Sequence, residues 1–383
     1  MSKTSKIIIV GQPSWRITSS TVQAYLTEQG GHLAPIVYDR RGQKIQPHTT
    51  PLWAKEKLPR DLPQILKVLR GDFFCMPFGG NETPYGKEKH PPHGETANLK
   101  WKLVNITKND AGTTLHARMK TRIRPATVDK QITLIDGHNA VYSKHTIAGM
   151  KGTISLGHHA TLRCPDQPGS GLISTSPMKY GMVTPLPVEL PEKKGYSILD
   201  PGTKFSKLNR VRMITGKYTD LTSYPARRGF EDIVMLVAKP RKSFAWTAMT
   251  FPKERYVWFA LKDPQVLKQT LLWMSNGGRY FPPWNGRHVN VIGIEDVTSY
   301  FHYGLAESAR TNSVAKGGDP TCLKVNPEKP VVINYIMSVA KIPQGFDRVK
   351  SIEPVKNSDT VVLTARSGRK VEAPVDYSFL KKC

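Results

Sequence analysis

Residues 98–124 read NLKWKLVNITKNDAGTTLHARMKTRIR, and the reading of this stretch decides the fold class. Leu99, Trp101, Leu103 and Ile106 recur near a period of two in the first half. Leu115, Ala117, Met119 and Ile123 partly alternate with histidine and basic residues in the second. Alternation of this kind marks half-buried β-strands, here predicted over Asn98–Ile106 and Thr114–Arg124. The same signal extends outward. Lys6–Val10, Thr21–Tyr25 and Leu33–Tyr38 precede it, and Gln131–Ile135, Ala140–His145 and Thr153–Ser155 follow. Asp232–Val237, Tyr256–Leu261, the LLWM run after Leu267 and Val289–Ile294 continue it. Strands separated by polar turns, without alternating helices, predict an all-β fold, a large antiparallel sandwich. One short amphipathic helix is predicted at Leu62–Leu69, where Leu62, Ile65, Leu66 and Leu69 fall at three-to-four spacing. Pro165–Leu199 and Gly317–Pro330 read as surface excursions. No internal repeat or second core is visible, so residues 1–383 are expected to form one domain.

Composition agrees. The 383 residues include 30 glycines and 30 prolines, which favours turns over long helices. No run reaches the roughly 18 apolar residues of a membrane helix. The IIIV segment at Ile7–Val10 is too short for the core of a secretory signal and reads as a first strand. Cys75, Cys164, Cys322 and Cys383 are widely spaced, with no C-x-x-C pair. Reduced thiols and a cytoplasmic location are the simplest expectation. The formal charge of +26 would attract polyanions. Its lysines and arginines are scattered, however, with short clusters such as Asp39-Arg40-Arg41 and Lys239-Pro240-Arg241-Lys242. No recognition helix, zinc-finger spacing or RNP-like motif accompanies them. Nucleic acid is therefore not the expected partner.

Three segments carry candidate chemistry. In PPHGETANLKW (91–101), His93 follows two prolines and precedes Gly94, with Asn98 and Trp101 offering an amide and an aromatic face. Sugars need directional hydrogen-bond partners for their hydroxyls and apolar faces for their C–H surfaces. The alternative is a loop histidine beside a core tryptophan. In GHHATL (157–162), His158 and His159 would point to opposite faces of a strand, one toward a cleft and one into packing. A metal site is an alternative, but no H-E-x-x-H or Cys/His ligand set is present. In GGRYFPPWNGRHVNVIGIEDV (277–297), Glu295 closes an apolar run, where desolvation raises a carboxyl pKa into the range of a general base. The alternative is a rim carboxylate paired with Arg279 or Arg287. Upstream, Arg279, Trp284 and Arg287 look like a ligand-lining loop, with Trp273 in the strand before it.

Together these segments resemble the aldose 1-epimerase (galactose mutarotase-like) superfamily, most closely its hexose-6-phosphate mutarotase-like and uncharacterised bacterial branches. HGETANLKW resembles a first motif of His-Gly followed, eight residues after the histidine, by Trp. GHHATL resembles the second motif, NVIGIED the late strand whose glutamate faces the anomeric centre, and FFCMPFGG (73–80) an early segment of the superfamily. The resemblance implies a β-supersandwich with a sugar-binding cleft and interconversion of sugar anomers by ring opening and closure. It maps the acid onto His159, the base onto Glu295 and a binding or assisting role onto His93. His158 replaces His159 if the register differs by one. Asn98, Arg279, Trp284 and Arg287 are the further substrate-binding candidates. No cofactor and no metal is implied, since both steps are proton transfers. The sugar-phosphate branch carries an arginine where this chain has Ala97, so the expected partner is a sugar or sugar derivative of unspecified type. Arg118, Arg122, Arg279 and Arg287 are possible substitutes for that charge. A non-catalytic carbohydrate-binding protein with the same cleft is the alternative reading, and a polyanion-binding protein a third.

Overall fold

The computed structural model describes residues 6–241 and 243–382; Lys242 and Cys383, both named above, lie outside the described residues. The architecture is an antiparallel β-supersandwich with few short helices. A nine-stranded sheet runs in the order Ser223–Tyr224, Gly171–Thr175, Ala245–Phe251, Tyr256–Lys262, Val331–Lys341, Ala140–Ala148, Ala126–Ile135, Gly112–Thr121 and Lys102–Asn109. An eight-stranded sheet faces it. Its order is Lys204–Phe205, Met178–Val183, Phe230–Ala238, Gln269–Asn276 and Val291–Thr298, after which Leu156–His158 and Ala160–Arg163 both pair with Val291–Thr298, and Phe74–Cys75 forms the edge. An N-terminal four-stranded meander (Ile7–Ile9, Gln12–Thr18, Gln23–Thr27, Leu33–Val37) adds Trp15, Ile17, Leu26 and Ile36 to the core between the sheets.

Alternation along the strands separates three apolar layers. In Val291–Thr298, Ile292 and Ile294 enter the core between the sheets, while Val297 faces the other way, into a layer with Trp273, Met235 and Phe73. In Val331–Lys341, Ile333, Tyr335 and Met337 face the central core, and Ile336 and Ala340 face a third layer. That third layer is closed by a small C-terminal sheet of Val349–Pro354, Thr360–Ala365 and Lys370–Pro374. A strand covered on both faces reads as a continuous apolar run, which is why VVINYIMSVAK (331–341) shows no clean alternation.

Several sequence expectations shift. The diagnostic hairpin forms at Lys102–Asn109 and Gly112–Thr121, because residues 95–97 make a 3-10 turn that carries Trp101 into the core before the strand begins. The helix is shortened to Gln64–Val68 behind Pro63. The segment Pro165–Leu199 is not a plain excursion. It contributes Gly171–Thr175 to one main sheet and Met178–Val183 to the other, and its Pro and Gly residues mark the turns between them. Gly317–Pro330 holds the short strand Leu323–Val325, paired with Gly152–Ile154. The strand predicted at Val289–Ile294 runs instead from Val291 to Thr298, so Glu295 sits inside a strand and not at its end.

Candidate functional site

A cleft of about 360 Å³ opens on the face of the eight-stranded sheet that is turned away from the central core. Its floor is built by register. Gly157 pairs with Val297 and Ala160 with Ile294, which sets His159 across from Glu295 and His158 across from Asp296. Successive strand residues face opposite sides. His159 and Glu295 therefore enter the cleft, with His159 Nε2 3.2 Å from Glu295 Oε1. His158 and Asp296 enter the core, where His158 Nδ1 meets Asp72 Oδ2 at 2.9 Å, Tyr335 stacks on His158, and Lys262 Nζ lies 2.6 Å from Asp296 Oδ1. Gly293, opposite Trp273, leaves space for both groups: a Cβ there would sit 2.7 Å from Glu295 Oε1 and 3.1 Å from the Trp273 ring.

Both floor groups are buried, and desolvation acts on them in opposite directions. Burial pushes the Glu295 carboxyl up to about 8, with Arg279 opposing it, and holds the His159 imidazole well below its ordinary value, helped by His93. Phe73 stacks on His159 at 4.5 Å between ring centroids, and Trp273 meets it edge-on at 5.7 Å.

His93 reaches the cleft from a loop. Its backbone is left-handed (φ +59), its N–H donates to the Gly79 carbonyl at 2.7 Å, and its ring lies 5.1 Å from that of His159. Cys75 Sγ approaches His93 Nδ1 at 3.3 Å from beneath. Burial pulls His93 down to about 4. Gly94 is required beside it, since a Cβ would lie 2.0 Å from the Met76 carbonyl oxygen in a φ +74 conformation.

The remaining sequence candidates divide. Arg279 and Trp284 line the cleft. The Arg279 guanidinium lies 4.6 Å from the Trp284 ring centre and 5.4 Å from that of Trp273, and its Nε donates to Glu189 Oε1. Asn98, His158 and Arg287 do not reach it. Asn98 is buried behind the His93 loop, its Nδ2 donating to the Pro92 and Gly94 carbonyls at 2.6 and 2.7 Å, so it clamps the loop and does not line the cleft. His158 faces the core by strand alternation. Arg287 turns outward, where its guanidinium makes a two-point pair with Glu56 at 2.6 and 2.7 Å. Of the arginines considered for a sugar phosphate, Arg118 is engaged with Asp129, and only Arg279 lines the cleft.

Other cleft groups were not singled out from the sequence. His302 follows Glu295 by seven residues and lines the wall, and its pKa is pulled to about 3 by burial, then by Arg279 and His93. Glu189 arrives from the Pro-rich 185–196 loop. Behind the floor, Glu231 accepts from Trp273 Nε1 at 2.9 Å and from Ser275 Oγ at 2.8 Å, and burial raises it to about 7. No motif marks these residues. Only the alternation of FEDIVMLVA, with Ile233 and Met235 on the cleft face, would have put Glu231 there. Glu82, Glu189 and His302 also border an adjoining cavity of about 750 Å³, so the cleft continues into a larger space. Among the described residues, no group of three or more His, Cys, Asp or Glu side chains is arranged to hold a metal ion.

The fold is shared with solved structures. A galactose mutarotase-like protein from Clostridium acetobutylicum superposes with a TM-score of 0.60 at 12% identity, over 88% of this chain and 98% of that one. A galactose mutarotase related enzyme from Lactobacillus acidophilus gives 0.56 at 12% identity, over 86% and 99%. A galactose mutarotase-like protein from Lactobacillus casei gives 0.55 at 11% identity, over 85% and 100%. No family sequence model and no curated protein matches the sequence. The chain is thus a β-supersandwich protein with an aromatic-walled cleft. More particularly, it has the galactose mutarotase-like fold.

Proposed function

We propose that the protein is a carbohydrate isomerase of the aldose 1-epimerase type, interconverting the anomers of a sugar in this cleft. The observation that carries the reading is the 3.2 Å approach of His159 Nε2 to Glu295 Oε1 on a buried floor beside Trp273, Trp284 and Phe281. Ring opening needs one proton delivered to the ring oxygen and one removed from the anomeric hydroxyl as the bond between the anomeric carbon and the ring oxygen breaks. Rotation about C1–C2 and the reverse transfers then give the other anomer. A pair holding a single proton serves both directions. The resemblance gives that proton to His159 as acid and leaves Glu295 as base. Desolvation on the cleft floor favours the other tautomer, a protonated carboxyl beside a neutral imidazole. Both tautomers contain one proton, and each group donates in one half of the cycle and accepts in the other.

His93 and Arg279 supply hydrogen-bond donors at the walls, and the indole faces suit the C–H surface of a sugar. A cytoplasmic setting is part of this reading and is supported by Cys75, Cys164 and Cys322, which carry no disulfide. No helix among the described residues is long and apolar enough to cross a membrane. The test is anomer-exchange NMR on neutral, uronic and phosphorylated hexoses and on a reducing oligosaccharide. Catalysed exchange by the wild type and a loss of at least about 100-fold in His159→Ala and Glu295→Gln are expected. Normal exchange in both variants would overturn the assignment. Sugar binding without acceleration across the whole panel would leave a carbohydrate-binding protein.

A further inference from the structure

A second cavity, of about 400 Å³, shares no residue with the cleft. It lies where the outer end of the nine-stranded sheet meets the C-terminal sheet. Ser174 of the Gly171–Thr175 strand forms one wall, Lys207 of the 207–209 turn a second, and Arg348, Lys350 and Arg366 the third. Four cationic side chains thus line one cavity, and among the described residues no carboxylate lines it. Asp220 and Asp347 act on Arg348 from outside the lining, Asp220 also accepting from the Thr222 N–H and hydroxyl at 2.6 Å each and Asp347 from the Ser367 N–H at 2.9 Å.

Two buried donors here have no partner. Arg348 is anchored through Nη2 to the Thr222 carbonyl at 3.1 Å and to Ser223 Oγ at 3.3 Å, yet its Nε is buried and unbonded. Ser174 as a residue is 9% exposed and its Oγ is likewise unbonded. Burial and the neighbouring Arg366 pull Arg348 below its ordinary value while Asp220 and Asp347 oppose them, and an anion in the cavity would add to that opposition. Guanidinium groups with free N–H donors match the geometry of tetrahedral oxyanions.

We propose that this cavity binds a dianionic tetrahedral oxyanion, the phosphate or sulfate group of a small ligand, between Ser174, Lys207, Arg348, Lys350 and Arg366. The volume falls in the range of small-molecule sites, so it holds more than the anion alone. It also gives a local purpose to part of the +26 charge.

The experiment is calorimetric titration of the full chain with inorganic phosphate and with inorganic sulfate, against chloride at matched ionic strength. Saturable binding beyond the chloride control is expected. The tighter of the two ions tells a phosphate ester from a sulfate ester. Lys207 and Arg366 have exposed side chains, so the double variant Lys207→Gln, Arg366→Gln keeps the fold and should weaken binding at least about tenfold. Ser174→Ala should weaken it a few-fold. Absence of saturable binding in the wild type, or unchanged affinity in the double variant, would overturn the proposal. Salt-steep association with duplex DNA without phosphate binding would overturn it too.

Discussion

Glu295 shows how one buried carboxyl joins chemistry to stability. Its folded-state pKa of about 8 lies above the ordinary 4.5 because the strand on which it sits is covered on both faces. The fold keeps this proton up to about pH 8, whereas the unfolded chain loses it near 4.5. The stability that the protonated form permits is therefore complete below about 4.5 and is lost as pH rises through about 8, at roughly 1.4 kcal/mol per unit. Glu295→Gln keeps the shape without the ionisation, so its melting temperature should exceed that of the wild type at pH 8 while anomer exchange is abolished. A lower melting temperature for this variant at pH 8 would show that the carboxyl is not desolvated as described. The same pair sets the pH–rate profile. Activity should fall above about pH 8, when the shared proton leaves, and should persist well below pH 6.5, because His159 resists a second one. A rate rising through pH 9 would contradict it. At this scale the sequence was only partly legible. The dipeptide His158-His159 announces two opposite faces, but which one meets the cleft depends on Val291–Thr298, fixed by the pairings of Gly157 and Ala160. His302 carries no local signal, and Glu231 only the alternation of its own strand; both acquire a setting when distant strands meet.

Among the elements, the Val291–Thr298 strand and the His93 loop do most to position the site. Gly293→Ala would drive a methyl to within 2.7 Å of Glu295 Oε1 and 3.1 Å of the Trp273 ring. The sheet itself should survive, at a cost of roughly 1–3 kcal/mol for overpacking. Exchange should drop more than the stability loss alone would produce, measured as kcat at a temperature where the variant is fully folded. Unchanged kcat would mean that the carboxyl position is not critical. Asn98→Ala removes two donors from buried carbonyls at Pro92 and Gly94 and should cost about 1–3 kcal/mol, with sugar affinity falling because the His93 loop loosens. Unaltered affinity alongside lost stability would confine Asn98 to the fold. Element type was legible in half-exposed strands such as Gly112–Thr121, but the equally half-exposed C-terminal strands Thr360–Ala365 and Lys370–Pro374 were not read. It was obscured in two ways. Strands covered on both faces, such as Val331–Lys341, lose their alternation, and short strands between prolines, such as Gly171–Thr175 and Met178–Val183, pass for loops.

At the scale of the whole molecule, the nine-stranded sheet carries two apolar layers on its opposite faces, and this bears on how the chain unfolds. Trp258, Tyr335 and Met337 face the central core. Their strand neighbours Val257, Phe259 and Ile336 face the C-terminal sheet, against Ile352, Val361, Leu363 and Ala373. Deleting the C-terminal sheet would therefore bare the outer face of the nine-stranded sheet's middle strands, Trp246, Val257, Phe259 and Ile336 among them. Each large side chain so exposed forfeits about 1.5–3 kcal/mol, and several together exceed the 5–15 kcal/mol that typically holds a domain folded. A chain ending at Pro343 should consequently fail to fold or should aggregate through that face, whereas the intact chain should melt in one calorimetric transition with the C-terminal sheet inside it. Two resolved transitions in the intact chain, or a soluble truncated chain with an unchanged melting temperature, would show instead that the C-terminal sheet is a separable unit. The cleft lies on the other sheet, so a truncated chain that did fold while losing anomer exchange would tie the outer layer to the site through the shared core and not through contact.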